Sequence, residues 1–376
     1  MANNTNAQPK SFVGKYVEDI ELALIASAVS GKHSLLIGSP GWGKTAIARS
    51  MAGQIAKPDE WTFTRFATST PPEVVTGPLD VAAALATPAT IEYIVDGTPY
   101  DPGARLSIFD EIFRPSDVIF DIFLDLLDRQ DVGVDVAPTI WGTSNFIVKS
   151  ERTEALRDRI ALWVWVVPDE LDVSAVIDVH MNRDYNTRIE VSNGRTLPTI
   201  KEIDAIRKSR PTQNSIDAVT GYLEVLSTES KKGGFSVNPR RLEQWSSIVY
   251  RTSVYLNGGD NDFTSVPEDV GGVMKYAYPC FDKDKWIEWQ EIASAVSDPV
   301  GAAIEVVTRD AYSEFKRVSK AGGGKYEMAE ELGKVMVTAE KNLKKVSKKE
   351  SDPRVTGALD GLRDCFAALC RGENPF

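Results

Sequence analysis

The chain of 376 residues carries 43 lysines and arginines against 54 aspartates and glutamates, a net charge of −11. Broad electrostatic attraction to nucleic acid is therefore not expected, although a local basic patch is compatible with that balance. Apolar residues at 42% and charged residues at 26% describe an ordinary globular mixture, long enough for two or three domains with cores of their own.

The cysteines Cys280, Cys365 and Cys370 lack metal-ligand spacing, and with His33 and His180 the only histidines a structural zinc site is disfavoured. So sparse a set suits a reducing compartment. The polar start from Met1 to Lys10 has no apolar signal-peptide core, and no run approaches the roughly 20 apolar residues of a membrane span. The expectation is a cytoplasmic protein.

Residues 1–11 read as a disordered lead-in. From Phe12 to Ser30, Val13, Val17, Ile20, Leu24 and Ala28 recur at helical spacing, and Gly31 marks a stop. The apolar run Leu35-Leu36-Ile37 then turns through Gly38-Ser39-Pro40-Gly41-Trp42-Gly43 into Lys44-Thr45-Ala46, where Ile47 and Met51 at i, i+4 spacing indicate a helix. Strand, glycine loop and helix in that order make a phosphate-binding loop. Its glycines let successive N–H groups converge on anionic oxygens, and the helix adds its positive end. Lys44 can reach the outer phosphates and the Thr45 hydroxyl can sit on Mg2+, so ATP or a related triphosphate is the expected ligand.

Trp61 to Ala67 alternates apolar and polar as a second strand would. Within the Pro- and Gly-rich stretch 71–105, Thr90 to Val95 followed by Asp96-Gly97 suggests a hairpin, either a surface loop or a projecting working element. Leu106 to Phe109 reads as a strand ending in Asp110-Glu111. Beside a phosphate loop in a parallel sheet, Asp110 would hold Mg2+, usually through water, and Glu111 would polarise the water that attacks the terminal phosphate.

Ser116 to Asp128 carries a helical apolar stripe after an N-cap-like serine, and residues 137–145 read as a buried strand ending in Asn145. The Asn145 amide either meets the terminal phosphate or attacking water, or merely caps a turn. Arg157 and Arg159 precede the apolar strand 161–167; they either reach a neighbouring subunit's nucleotide or form a solvated helix face. After Pro168 the pattern becomes helical, with segments 203–208, 215–229, 238–256 and 267–278. In Asn238-Pro239-Arg240-Arg241 a guanidinium at a helix N-terminus opposes the helix dipole, which argues for an external anion or, more plainly, a salt bridge. From Trp286 onward the chain reads as helical, with Gly322-Gly323-Gly324 as a break and a basic, solvated face or tail over 341–349.

This order of signatures resembles the MoxR branch of the AAA+ ATPases over residues 12–282. Residues 34–45 look like that family's Walker A. Residues 106–114 look like its Walker B, with Phe113 where the family usually has Asn, and the hairpin between them is similar to its helix-2 insert. The resemblance implies an α/β fold, a P-loop parallel-sheet core with an insert hairpin over 12–190 and an α-helical lid over 191–285; residues 286–376 lie outside it and read as a helical C-terminal extension. It puts Asn145 at the sensor-1 position, Arg159 at the arginine-finger position with Arg157 as the alternative, and Arg240 at sensor 2 with Arg241 as fallback.

It further implies ATP hydrolysis in a ring, most often a hexamer, whose lid turns against the core with each cycle. The ring would act as a remodelling chaperone on a protein client through a von Willebrand A domain partner. Two other readings stand beside it. One is a nucleic-acid translocase of the same clade, disfavoured by the acidic balance and by a hairpin without basic-aromatic alternation. The other is a ring that ATP stabilises without turnover, against which Glu111 argues.

Overall fold

The structure, a computed structural model, describes residues 15–86, 90–128, 138–148, 150–166, 197–320, 325–346, 353–373 and 375. The lead-in over 1–11, the end of the expected core at 167–190, the triple glycine and the basic residues beyond 346 lie outside the described residues. The chain divides into two compact units, residues 1–290 and 291–376.

The first unit is built on a parallel sheet. Its strands are β1 (His33–Ile37), β2 (Trp61–Arg65), β3 (Leu106–Asp110), β4 (Thr139–Ser144) and β5 (Ile160–Trp165), in the order β2-β3-β4-β1-β5. β1, β3 and β4 are buried along their whole length, which is why they read as continuous apolar runs rather than alternating ones. β2 lies at an edge and alternates. Between the strands run α1 (Lys15–Ser30), α2 (Lys44–Ile55), α3 (Glu73–Thr76), α4 (Val81–Leu85), α5 (Asp117–Asp128) and α6 (Glu151–Arg159). α5 buries Ile119, Phe120, Phe123, Leu126 and Leu127 against a cluster with Leu35, Phe109, Ile140 and Trp163. Phe113 belongs to the same cluster and stacks on Phe120 at 6.2 Å, so apolar packing occupies that position.

The insert differs from the expected hairpin. Residues 90–95 do pair antiparallel, but with 78–80 on their N-terminal side, through Asp80 N to Glu92 O at 2.8 Å and Ile94 N to Pro78 O at 2.8 Å. α4 thus lies at the tip, capped by the Asp80 carboxylate. Asp96-Gly97 is a turn leading back to β3, with Gly97 N bonded to Asp101 Oδ2. Gly77 makes the close return possible, since a Cβ there would lie 2.0 Å from Ile94 O and its φ is +85°.

The helices after β5 are α7 (Ile200–Lys208), α8 (Gln213–Lys232), α9 (Pro239–Leu256), α10 (Asp269–Met274) and α11 (Lys283–Ser297). α9 packs on α1 and α8, and Trp245 stacks on Trp289 at 5.3 Å. Three arginines fasten these helices to backbone carbonyls of the sheet domain. Arg207 donates from Nε and Nη2 to Ala28 O at 3.0 and 2.6 Å, and from Nη2 to Thr139 Oγ1 at 2.6 Å. Arg251 donates to Ser30 O at 2.6 Å, and buried Arg241 donates to Arg157 O at 2.6 Å. Ala28 and Ser30 lie in the last turn of α1 and Arg157 in that of α6, where carbonyls have no partner within the helix and cations are favoured. Burial, with Arg105 adding to it against Asp204, pulls Arg207 down to about 10.

In the second unit α12 (Pro299–Lys320), α13 (Lys325–Val346) and α14 (Pro353–Arg371) pack pairwise around Phe315, Leu332, Leu343 and Leu362. Lys341, Lys344 and Lys345 are exposed while Leu343 points inward, the solvated face expected of that run.

Truncating Arg207 would leave the Ala28 carbonyl without its two charge-assisted bonds. Arg207→Ala is expected to destabilise the first unit by about 2–3 kcal/mol, read as a lower urea midpoint with an unchanged slope.

Candidate functional site

The glycine loop follows β1 at the C-terminal edge of the sheet, and its shape rests on two glycines. A Cβ on Gly38 would lie 2.6 Å from Val166 O, so the loop leaves β1 tight against the chain after β5. Gly43 caps α2 in the left-handed region at φ +73°, which a side chain would resist. Ser39, Pro40 and Gly41 are exposed, Trp42 and Gly43 half-buried, Lys44 buried, Thr45 half-buried and Ala46 exposed.

Lys44 Nζ donates to Gly38 O at 2.6 Å, Ser39 O at 2.8 Å and Asn145 Oδ1 at 2.9 Å, which uses all three of its hydrogens. Burial lowers its pKa, and the nearby Glu111 and Asp110 carboxylates oppose that shift. Asn145 turns its Nδ2 to Glu111 Oε1, so one amide links the loop lysine to the second carboxylate. The turn after β4 is served by Ser144, whose Oγ donates to Phe146 O at 2.7 Å. Asn145 therefore faces the site.

Asp110 Oδ1 accepts from Thr45 Oγ1 at 2.7 Å and Thr143 Oγ1 at 2.6 Å, and Arg65 Nε stands 3.4 Å from Oδ2. Register makes the Thr143 contact, because Asp110 and Thr143 are paired across β3 and β4. Glu111 has a φ of +63°, among the described residues the one non-glycine in that region. This backbone turns its carboxyl toward Asn145. Its Oε2 is buried with no hydrogen bond among the described residues, although Arg114 Nε approaches to 3.2 Å. The site thus holds hard oxygen donors on Thr45 and Asp110 and, on Glu111, a buried carboxylate oxygen that Arg114 approaches without a hydrogen bond. That donor set suits a hard divalent cation with a water beside it.

Arg159 and Arg240 stand elsewhere. Arg159 grips Asp128 through Nε to Oδ1 at 2.8 Å and Nη2 to Oδ2 at 2.6 Å, and Arg240 Nη2 reaches the same Oδ1 at 2.9 Å. Asp128 ends α5 next to Leu127, whose carbonyl meets His33 Nε2 at the start of β1. This cluster therefore lies at the opposite edge of the sheet from Lys44. The salt bridge, the plainer of the two expectations for Arg240, is the one found. Arg157 pairs with Glu154 at 3.1 Å and lies 5.9 Å from the Tyr278 ring, while Arg241 is committed to backbone carbonyls.

Thr143, Arg65, Arg114 and Asp128 are not singled out by the sequence patterns. Two of them nonetheless carry a signal. Thr143 is two residues before Asn145, just past the end of β4, and so turned to the same side. Asp128 puts a negative charge at a helix C-terminus, where it needs cationic partners.

A parallel sheet in this order, with a phosphate loop after one inner strand and a carboxylate pair after another, defines a P-loop core of the AAA+ class. The family model described as the MoxR domain in the MoxR-vWA-beta-propeller ternary systems matches residues 1–203, more than half of the chain. The chain belongs to this MoxR family of AAA+ ATPases.

It is 24% and 22% identical, over 250 residues each, to two uncharacterized proteins of Methanocaldococcus jannaschii. Each match takes in 64% of the chain and 61% and 62% of the two relatives, so the chain spans about three fifths of their length. A crystal structure from Cytophaga hutchinsonii, named provisionally as an ATPase, is similar in fold with a TM-score of 0.51 at 15% identity, over 76% of this chain and 90% of that one. Among the described residues no helix is long and apolar enough to cross a membrane.

To meet a phosphate Lys44 would have to be charged, and burial holds its pKa in the free protein below that of an ordinary lysine. Affinity for a fluorescent ATP analogue is expected to weaken as pH rises through that lowered value, earlier than an ordinary lysine would cause. A Kd that stays unchanged until the pH at which an ordinary lysine titrates would contradict that expectation.

Proposed function

We propose that the protein is an ATP-hydrolysing ring of the MoxR type that remodels other proteins, with each active site completed by the neighbouring subunit. The observation that carries this reading is the chain of bonds from Lys44 through Asn145 to Glu111, lying beside the Thr45-Asp110-Thr143 contact. It joins a phosphate-seeking cation, a polar amide, a base and a cation-holding carboxylate at one edge of one sheet. Residues Gly38 to Ala46 wrap the phosphates, with backbone N–H groups of Gly41 to Ala46 as the donors.

Thr45 and Asp110 would hold Mg2+, which supplies charge neutralisation on the phosphate oxygens. Lys44 leaves the loop carbonyls for the outer phosphates, and Asn145 is then free to orient toward the terminal phosphate. Glu111 holds the attacking water through its Oε2 and takes its proton.

Arg159, at the far edge of the sheet, cannot serve its own subunit's loop, which supports a role on a neighbour's ATP and hence a closed ring, a hexamer by likeness to the family. Arg240 sits beside it and is read as acting from the same side. The bonds of Arg207, Arg241 and Arg251 oppose a lid that turns freely, so subunit-on-subunit movement is the favoured stroke.

A protein client is favoured over nucleic acid by the insert. Residues 71–104 contain no lysine or arginine and five carboxylates, and the described part exposes Val81, Leu85, Ile91, Tyr93 and Ile94. The systems for which the matching family is named include a vWA component, which supports a partner bearing that domain.

Three variants test the scheme by nucleotide binding and phosphate release. Lys44→Ala is expected to abolish binding. Glu111→Gln should bind ATP without turning it over. Arg159→Ala should bind normally while hydrolysis falls by roughly 10³; wild-type turnover in that variant would refute the shared site.

A further inference from the structure

We propose that Asp128 is a positioning residue for hydrolysis, holding the guanidinium groups of Arg159 and Arg240 as one unit at the subunit edge. The inference rests on the reading that Arg159 acts on a neighbour's nucleotide, and it deepens that reading by naming what aims the arginine.

Three observations carry it. The first is geometric: Arg159 meets both carboxylate oxygens in a fork, and its Nη1 donates to Ala155 O at 2.9 Å. Those bonds fix every rotatable part of the side chain, yet each terminal nitrogen keeps one N–H that they do not use. An arginine so held loses little further freedom when an anion arrives.

The second is electrostatic. Asp128 ends α5, where a negative charge opposes the helix dipole, and Arg240 lies in the first turn of α9, where a positive charge does the same. Neither charge serves its own helix, and each offsets the other's misplacement. Burial works to raise the Asp128 pKa, but the bonds from Arg159 and Arg240 prevail and hold it below the ordinary value.

The third is access. The side chains of Arg159, Arg240 and Asp128 are 20%, 35% and 39% exposed, so the cluster is partly open to solvent and within reach of an incoming phosphate. An ion pair present only for stability would contribute little at such exposure. This one joins α5, α6 and α9, so it ties the lid's cation to the core's.

The test uses the full chain, with ATP hydrolysis measured at saturating protein and Kd measured with a fluorescent ATP analogue. Asp128→Asn is expected to lower kcat by roughly ten- to a hundredfold, as misplacement of a catalytic group does, with Kd within twofold of wild type. Asp128→Glu should fall between the two. On a background with both Arg159→Ala and Arg240→Ala, Asp128→Asn should cost nothing further, since the residue acts through the two already removed.

An unchanged kcat in Asp128→Asn, or an equal loss with and without the two arginines, overturns the proposal. If Asp128→Asn does not fold, Asp128→Glu on the two backgrounds separates the same outcomes. Wild-type turnover in Arg159→Ala alone overturns the shared-site reading instead, whereas a loss there without one in Asp128→Asn overturns only the positioning role.

Discussion

The register of β4 between β1 and β3 is the constraint on which the site depends. Thr143 is paired with Leu36 on one side and with Asp110 on the other. A slip of one residue would turn Thr143 and Asn145 to the opposite face and take both from the carboxylates. Gly142 helps keep this strand close to its neighbours, because a Cβ there would press within 3.1 Å of Leu35 and 3.3 Å of Ile112. Strand pairing thus sets the chemistry at the loop, and side-chain packing below the sheet holds the pairing.

At the other edge, basic side chains take a part that apolar contacts usually play. Arg207, Arg241 and Arg251 satisfy carbonyls at the ends of α1 and α6, and leaving such groups bare would be costly in a buried joint. Directional bonds of this kind permit one docking of the helices on the sheet where an apolar seam would tolerate sliding. The same surroundings bring Arg240 to Asp128, so the attachment of α9 and the location of its first-turn cation share one cause.

Much of this is legible in the sequence because the pattern is local. The glycine loop, the Asp110-Glu111 pair and the apolar strands are each short runs whose neighbours in sequence are also neighbours in space. The insert is illegible for the opposite reason. Residues 90–95 are rich in the β-formers Thr, Ile, Tyr and Val, but their partner at 78–80 is three residues long and begins with Pro78, and so gives no strand pattern. The helix expected over 267–278 spans only 269–274, because Gly271-Gly272 and the Trp163 N to Tyr276 O bond at 2.7 Å draw the following residues onto β5. Asp128 reads in the sequence as the unremarkable end of an amphipathic helix. Its partners lie 31 and 112 residues further along the chain, and no periodicity links them.

The left-handed backbone at Glu111 limits what evolution or an engineer can put there. Glycine, asparagine and aspartate enter that region at modest cost, whereas valine, isoleucine or threonine would be refused by the main chain before any question of reactivity arose. Swapping this carboxylate for a β-branched residue would therefore reshape the strand end and report on folding as much as on chemistry. The few substitutions that isolate its chemical contribution are the unbranched ones, with glutamine the nearest in shape.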